Sequence, residues 1–184
     1  MSKSAKAAST KRLRKELRRI QDDPIPLVTA RATEKSLFKW FFVLEGPEET
    51  PFEGGHFLGH LEFPPNYPFA GPELFMHTPS GRFECGKSIC LNGISAHHSE
   101  SWSPLWSIST ILAGFLSFFV ESNVQTLGAL QTTDEEKQAL AQESLKWNVL
   151  HAPQFKSLFP ELLELHKSRD QGKAPAAAAA AAVE

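Results

Sequence analysis

The chain has 184 residues, 20.4 kDa, with 41% hydrophobic and 22% charged side chains, which suits one domain with a substantial core and ragged ends. Its net charge of -2 conceals an asymmetry: residues 1–20 carry eight Lys/Arg (Lys3, Lys6, Lys11, Arg12, Arg14, Lys15, Arg18, Arg19) against Glu16 alone, and the remainder is acidic, so a basic arm points to an acidic partner, a nucleic acid, or simply a solvated helix face. Two cysteines, Cys85 and Cys90, and an N-terminus without an apolar signal core exclude a disulfide-built secreted domain and favour a reducing, cytosol-facing compartment.

Residues 1–8 are expected to be a disordered basic N-terminus. From about Thr10, Leu13, Leu17 and Ile20 mark one narrow apolar stripe on a helix whose other faces are basic, ended by Asp22-Asp23-Pro24. Four strands follow. Leu27–Thr33 is a candidate; Phe38–Leu44 is a dense aromatic and β-branched run closed by Glu45-Gly46-Pro47. In His56–Phe63, Phe57, Gly59, Leu61 and Phe63 alternate with His60 and Glu62. Leu74–His77 is a short fourth strand. Short turns with no intervening helix imply an antiparallel meander.

Pro79 to Pro104 shows no clean periodicity. Irregular segments of this length inside compact domains are uncommon and often functional, and this one holds both cysteines and the His97-His98 pair. From Ser107, apolar residues at Ile108, Ile111, Leu112, Phe115, Leu116, Phe119 and Val120 fit a central core helix. This longest apolar run is well short of the roughly 20 residues a membrane span needs, so the chain as given is not expected to cross a bilayer. Asp134-Glu135-Glu136 opens another helix with acid at its positive end. A last helical pattern follows Pro153 and is expected to be kinked or divided at Pro160. Residues 171–184 read as a low-complexity, Ala-rich linker or end, leaving residues 9–170 as the domain.

The α+β order of N-terminal helix, four meander strands, long cysteine-bearing segment and three C-terminal helices resembles that of ubiquitin-conjugating enzymes. Three motifs carry the resemblance over about residues 9–168: Tyr67-Pro68-Phe69-Ala70-Gly71-Pro72 before the fourth strand, Ser88-Ile89-Cys90-Leu91 around the active cysteine, and Trp102-Ser103-Pro104 with Ile108-Ser109 leading into the central helix. Most of the family has His-Pro-Asn eight residues before that cysteine. Here the comparable stretch is Thr78-Pro79-Ser80-Gly81-Arg82-Phe83, and the stretch from Cys90 to Trp102 is longer than usual. Both departures resemble the tail-anchored endoplasmic-reticulum branch with its Thr-Pro-Asn segment, except that Ser80 stands where asparagine is expected.

The resemblance implies that Cys90 carries ubiquitin as a thioester, a role suited to a thiol because it attacks well as thiolate and leaves well. Read without that context, Cys90 is a small buried hydrophobe, although its place in a long irregular segment argues for function. Cys85 matches no motif and reads as structural. With the usual asparagine replaced, Ser80 and Asn92 are the candidate oxyanion donors, the bland reading of both being loop hydrogen bonding. His98, or alternatively His97, is a candidate base or gate for hydroxyl acceptors, or else an exposed loop histidine. By the same resemblance, Arg12, Lys15 and Arg19 face the ubiquitin-activating enzyme, and Phe69 and Pro104 with the first helix form the surface for a RING-type ligase. Lysine and possible Ser/Thr acceptors and work in degradation at the cytosolic face of the endoplasmic reticulum follow for the native full-length protein; that branch normally ends in a tail anchor, which this chain lacks, so either the sequence stops before it or this member is soluble and cytoplasmic. No cofactor is expected, ATP being used by the activating enzyme.

Three rival readings remain at this point. Cys85, Cys90, His97 and His98 are zinc-type ligands at poor spacing, so no metal is expected. A catalytically inactive ubiquitin-binding variant of the same fold is the principal alternative, which retention of Cys90 disfavours. Nucleic-acid binding by the basic helix lacks interleaved aromatics or any reader motif.

Overall fold

In the computed structural model, which describes residues 3–90, 102–121 and 126–171, the stripe of Leu13, Leu17 and Ile20 lies on helix α1 (Lys3–Asp22). The helix starts well before Thr10, so its first residues are ordered where a disordered arm was expected. Ala7 and Ala8 are strong helix formers, and tertiary contacts hold this turn against the body. Ser9 is buried and its Oγ donates to Pro65 O at 2.8 Å; the Lys6 ammonium lies 6.0 Å from the Phe38 ring centre.

Strands β1 (Val28–Thr33), β2 (Ser36–Glu45), β3 (His56–Glu62) and β4 (Glu73–Met76) form one antiparallel meander in sequence order. The sheet is covered on both sides. Trp40, Phe42, Leu44, Phe57 and Leu61 face a core completed by Leu13 and Ile20 of α1 and by Ile108, Ile111, Leu112, Phe115 and Phe119 of α2 (Ile108–Val120). The opposite face presents Phe41, Val43 and Leu58 to Leu145 and Val149 of α3 (Asp134–His151) and to Phe155 and Phe159 around α4 (Pro153–Leu158) and α5 (Pro160–Asp170). At Gly59 the layers approach so closely that an added Cβ would fall 2.4 Å from the Phe42 ring and 2.7 Å from Phe75 O, which only glycine tolerates.

The helices begin where their caps dictate. Ser107 and Thr110 form a reciprocal capping box on α2, and Thr133 and Glu136 form another on α3, satisfying N–H groups that have no intrahelical partner. Pro160 divides the last helical pattern into α4 and α5, as its missing N–H requires. No helix among the described residues is long and apolar enough to cross a membrane.

The second covering layer closes over the face of β3 that carries His56 and His60, and both are buried. His60 stacks on Phe75 at 4.6 Å, shares a 2.7 Å Nδ1···Nε2 hydrogen bond with His77, and meets Glu62, itself paired with Lys39. Burial, with the Lys39 charge and His77 beside it, lowers His60 from 6.5 to about 4; burial and the Arg169 charge lower His56 similarly to about 4. Because the unfolded chain protonates first, the stability these neutral rings contribute is complete above about pH 6.5 and drains away as pH falls towards 4, on the order of 3 kcal/mol per histidine at most. Urea midpoints measured from pH 7.5 down to 4.5 are expected to fall through this window, and His60→Leu should flatten the slope; a flat wild-type profile would contradict the assignment.

Candidate functional site

The segment that carries both cysteines is held at its start by a buried polar chain. Thr78 Oγ1 accepts from Leu58 N at 2.7 Å and donates to Asn148 Oδ1 at 2.5 Å, while Asn148 Nδ2 donates to His56 O at 2.7 Å. Gly81 takes a left-handed turn at φ 72°, and its carbonyl accepts from Thr132 Oγ1 at 2.8 Å. Next to it, Arg82 is buried, donating to Phe119 O and Phe118 O at 3.3 Å each. A guanidinium there meets the carbonyls at the negative end of α2.

From Phe83 onward the backbone runs between two supports. On one side Gly86 N donates to Met76 O, Ile89 N donates to Leu74 O, both at 2.8 Å, and Ser88 bridges Phe75. On the other, Phe83 bridges Ala129, Glu84 N donates to Gly128 O at 2.8 Å and Leu130 N donates to Arg82 O at 2.9 Å. Ile89 is wholly buried and Cys90, the next residue, is half-buried. The chain therefore emerges from the core at Cys90, whose carbonyl accepts from Thr126 Oγ1 at 2.5 Å.

This geometry separates the two cysteines. Cys85 lies on the exposed turn at Gly86 instead of in the core, which corrects its reading as a structural cysteine, and partial burial pushes its thiol up from the usual value. Ser80 is wholly buried and its Oγ accepts from Arg82 N at 3.2 Å, so it braces its own turn; no hydrogen bond among the described residues joins it to Cys90. Asn92, His97 and His98 lie outside the described residues. Among the described residues, no group of three or more His, Cys, Asp or Glu is arranged to hold a metal ion.

A second surface is assembled around α1. Trp102 Nε1 donates to Pro68 O at 2.7 Å, Arg12 Nη2 donates to Trp106 O at 3.0 Å, and Ser9 holds Pro65. Buried Glu16 pairs with Arg12 at 2.6 Å and accepts from Ile108 N at 3.3 Å, placing a carboxylate at the positive end of α2. These bonds fasten α1, the turn around Tyr67 and the 102–107 turn into one body. Phe69 is 76% exposed on it, Pro104 is exposed, and Leu105 is 91% exposed. Lys15 and Arg19 point outward, whereas Arg12 is largely committed to internal partners. Sequence reasoning missed Glu16, Arg82, Leu105 and Thr126: each acts through a partner at least 36 residues away or through exposure alone, except for the Arg12–Glu16 pair, whose i,i+4 spacing was legible.

The sequence matches the ubiquitin-conjugating enzyme family over residues 12–149. It is 42% identical over 172 residues to the human ubiquitin-conjugating enzyme E2 J2, spanning 94% of this chain and 65% of that protein. The Arabidopsis thaliana ubiquitin-conjugating enzyme E2 34 is 45% identical over 165 residues, 90% of this chain and 68% of that one. Ubiquitin-conjugating enzyme E2 6 of Schizosaccharomyces pombe is 39% identical over 175 residues, 95% of this chain and 76% of its own. The chain thus spans about two thirds of these relatives' lengths. The structure of human ubiquitin-conjugating enzyme E2 G1 superposes with a TM-score of 0.52 at 26% identity, covering 58% of this chain and 90% of that one.

Proposed function

The chain belongs to the ubiquitin-conjugating enzyme family, and from that premise we propose that Cys90 accepts ubiquitin from the activating enzyme as a thioester and, with a RING-type ligase, passes it to an acceptor side chain. The Cys90 thiolate attacks the carbonyl carbon of the incoming thioester, and the activating enzyme's cysteine leaves as thiolate. In the second half the acceptor amine or hydroxyl attacks, loses its proton, and Cys90 leaves as thiolate. Both halves exchange one acyl bond for another, so the protein's contribution is position and charge stabilisation. The observation that carries this reading is the half-buried Cys90 held at the exit of a doubly supported strand-like segment.

The similarity to E2 J2 and E2 6 supports placing the protein in the tail-anchored branch, working in degradation at the cytosolic face of the endoplasmic reticulum, with Ser/Thr as well as lysine acceptors. Asn92 is then the oxyanion donor, since Ser80 is wholly buried within its own turn, and His98 the base or gate for hydroxyl acceptors. The protein needs no cofactor of its own, ATP being consumed by the activating enzyme. Incubation with activating enzyme, ATP and ubiquitin is expected to give an adduct on a non-reducing gel that a thiol reductant removes. A protein that binds ubiquitin yet forms no such adduct would be the inactive variant of the fold instead.

The Phe69–Pro104–Leu105 surface is assigned to the ligase, and the exposed basic residues of α1 to the acidic activating enzyme. Phe69 is so exposed that its loss leaves folding nearly untouched, but as an aromatic anchor it should carry much of the contact energy. Phe69→Ala is expected to slow ligase-stimulated discharge by about tenfold or more while thioester loading stays within about twofold. Equal discharge rates for variant and wild type would place the ligase elsewhere.

A further inference from the structure

We propose that Thr126 is a positioning residue for Cys90, its hydroxyl fixing the carbonyl of Cys90 and through it the direction in which the thiol is presented. The inference rests on the reading of Cys90 as the acylated residue. Upstream, the backbone is immobilised by the burial of Ile89 and its bond to Leu74 O. Cys90 itself has a single hydrogen bond among the described residues, the 2.5 Å contact from Thr126 Oγ1. Among the described residues, the only other fixed point beside the thiol is Ile89, one residue upstream.

Thr126 is well placed to act as an anchor. Its own carbonyl accepts from Ala129 N at 3.0 Å, closing a turn whose Gly128 takes φ 84°. That turn is fastened to the base of the cysteine segment by the Phe83–Ala129 bridge and the bonds joining Gly128 to Glu84 and Leu130 to Arg82. The hydroxyl thus stands on a platform tied to Arg82–Glu84 and reaches across to Cys90, closing a loop of contacts at the point where the thiol sits. A threonine side chain is stiff about χ1, which favours a fixed donor. Acyl transfer is sensitive to such fixing, because reacting atoms must meet within about 3–3.5 Å and small misplacements slow the step severely. The sequence carries no motif for this pairing, since the partners lie 36 residues apart in two irregular segments.

The test compares Thr126→Val, which keeps the shape and removes the hydroxyl, with Thr126→Ser, which keeps the hydroxyl. Three readouts are taken on the full chain: single-turnover loading from activating enzyme, ATP and ubiquitin; discharge to free lysine; and alkylation of Cys90 by iodoacetamide between pH 6 and 9, quantified on the Cys90 peptide. Thr126→Val is expected to slow loading and discharge about five- to tenfold and to alter the alkylation profile, with the activating-enzyme concentration for half-maximal loading and the thermal midpoint unchanged. Thr126→Ser should stay within about twofold of wild type. Wild-type rates and alkylation in Thr126→Val would overturn the proposal, as would a loss that tracks a lowered midpoint and is not rescued by serine. Failure of the underlying reading looks different: the wild type itself forms no adduct, and the alkylation profile alone then decides whether Thr126 orients the thiol.

Discussion

Cys90→Ala is expected to abolish the ubiquitin adduct completely, and Cys85→Ser to leave it at the wild-type level. The two thiols share a loop but not an environment. Cys90 follows a buried anchor at Ile89 and has its carbonyl fixed by Thr126, so its sulfur is carried on backbone with little freedom. Cys85 projects from the exposed Gly86 turn, and its thiol is shifted away from the reactive thiolate. Neither substitution removes core packing, because both side chains reach the surface, so thermal midpoints should move little. Loading assays on the two variants, read on non-reducing gels, check this pair. An adduct that survives Cys90→Ala, or that vanishes in Cys85→Ser, would contradict the assignment.

Asn148→Leu is expected to be the most destabilising of the polar substitutions, by about 4 kcal/mol. Asn148 is fully buried and joins three pieces of chain: its amide donates to His56 O on β3, and its carbonyl accepts from Thr78, whose oxygen in turn accepts from Leu58 N. Leucine is close in size but leaves the His56 carbonyl and the donor proton of the Thr78 hydroxyl buried without a partner, and each such group costs about 1–3 kcal/mol. Thr78 is also where the cysteine segment leaves the sheet, so the same substitution should loosen the start of that segment. Equilibrium urea unfolding measures the cost. A loss below about 1 kcal/mol would mean that the network relaxes to new partners or to water.

Much of this was legible in the sequence, and the divisions have physical reasons. The run Phe38–Leu44 and the turn residues around it place β2 and its neighbours, because strands buried on both faces read as dense apolar stretches. Ser107, Thr133, Pro153 and Pro160 mark helix starts by local backbone chemistry that needs no distant partner. The burial of His56 and His60 was not legible because alternation reports polarity, not cover: the layer that buries them comes from α3–α5, about 90 residues later in the chain. The early start of α1 was hidden for a related reason, since Ser9 is ordered by Pro65 and not by its own neighbours. At the site, Cys90, Phe69 and Pro104 stood in recognisable motifs. Thr126, Arg82 and Glu16 did not, because each works by meeting backbone groups from another part of the chain.

The central claim is that one atom, the nucleophile at position 90, receives the ubiquitin carbonyl. Cys90→Ser replaces the labile thioester with an ester that survives reductant, so its tryptic map can be read by mass spectrometry. A diglycine remnant on residue 90 of that variant is the expected result. A remnant on another residue, or none after a wild-type control has loaded, would contradict it.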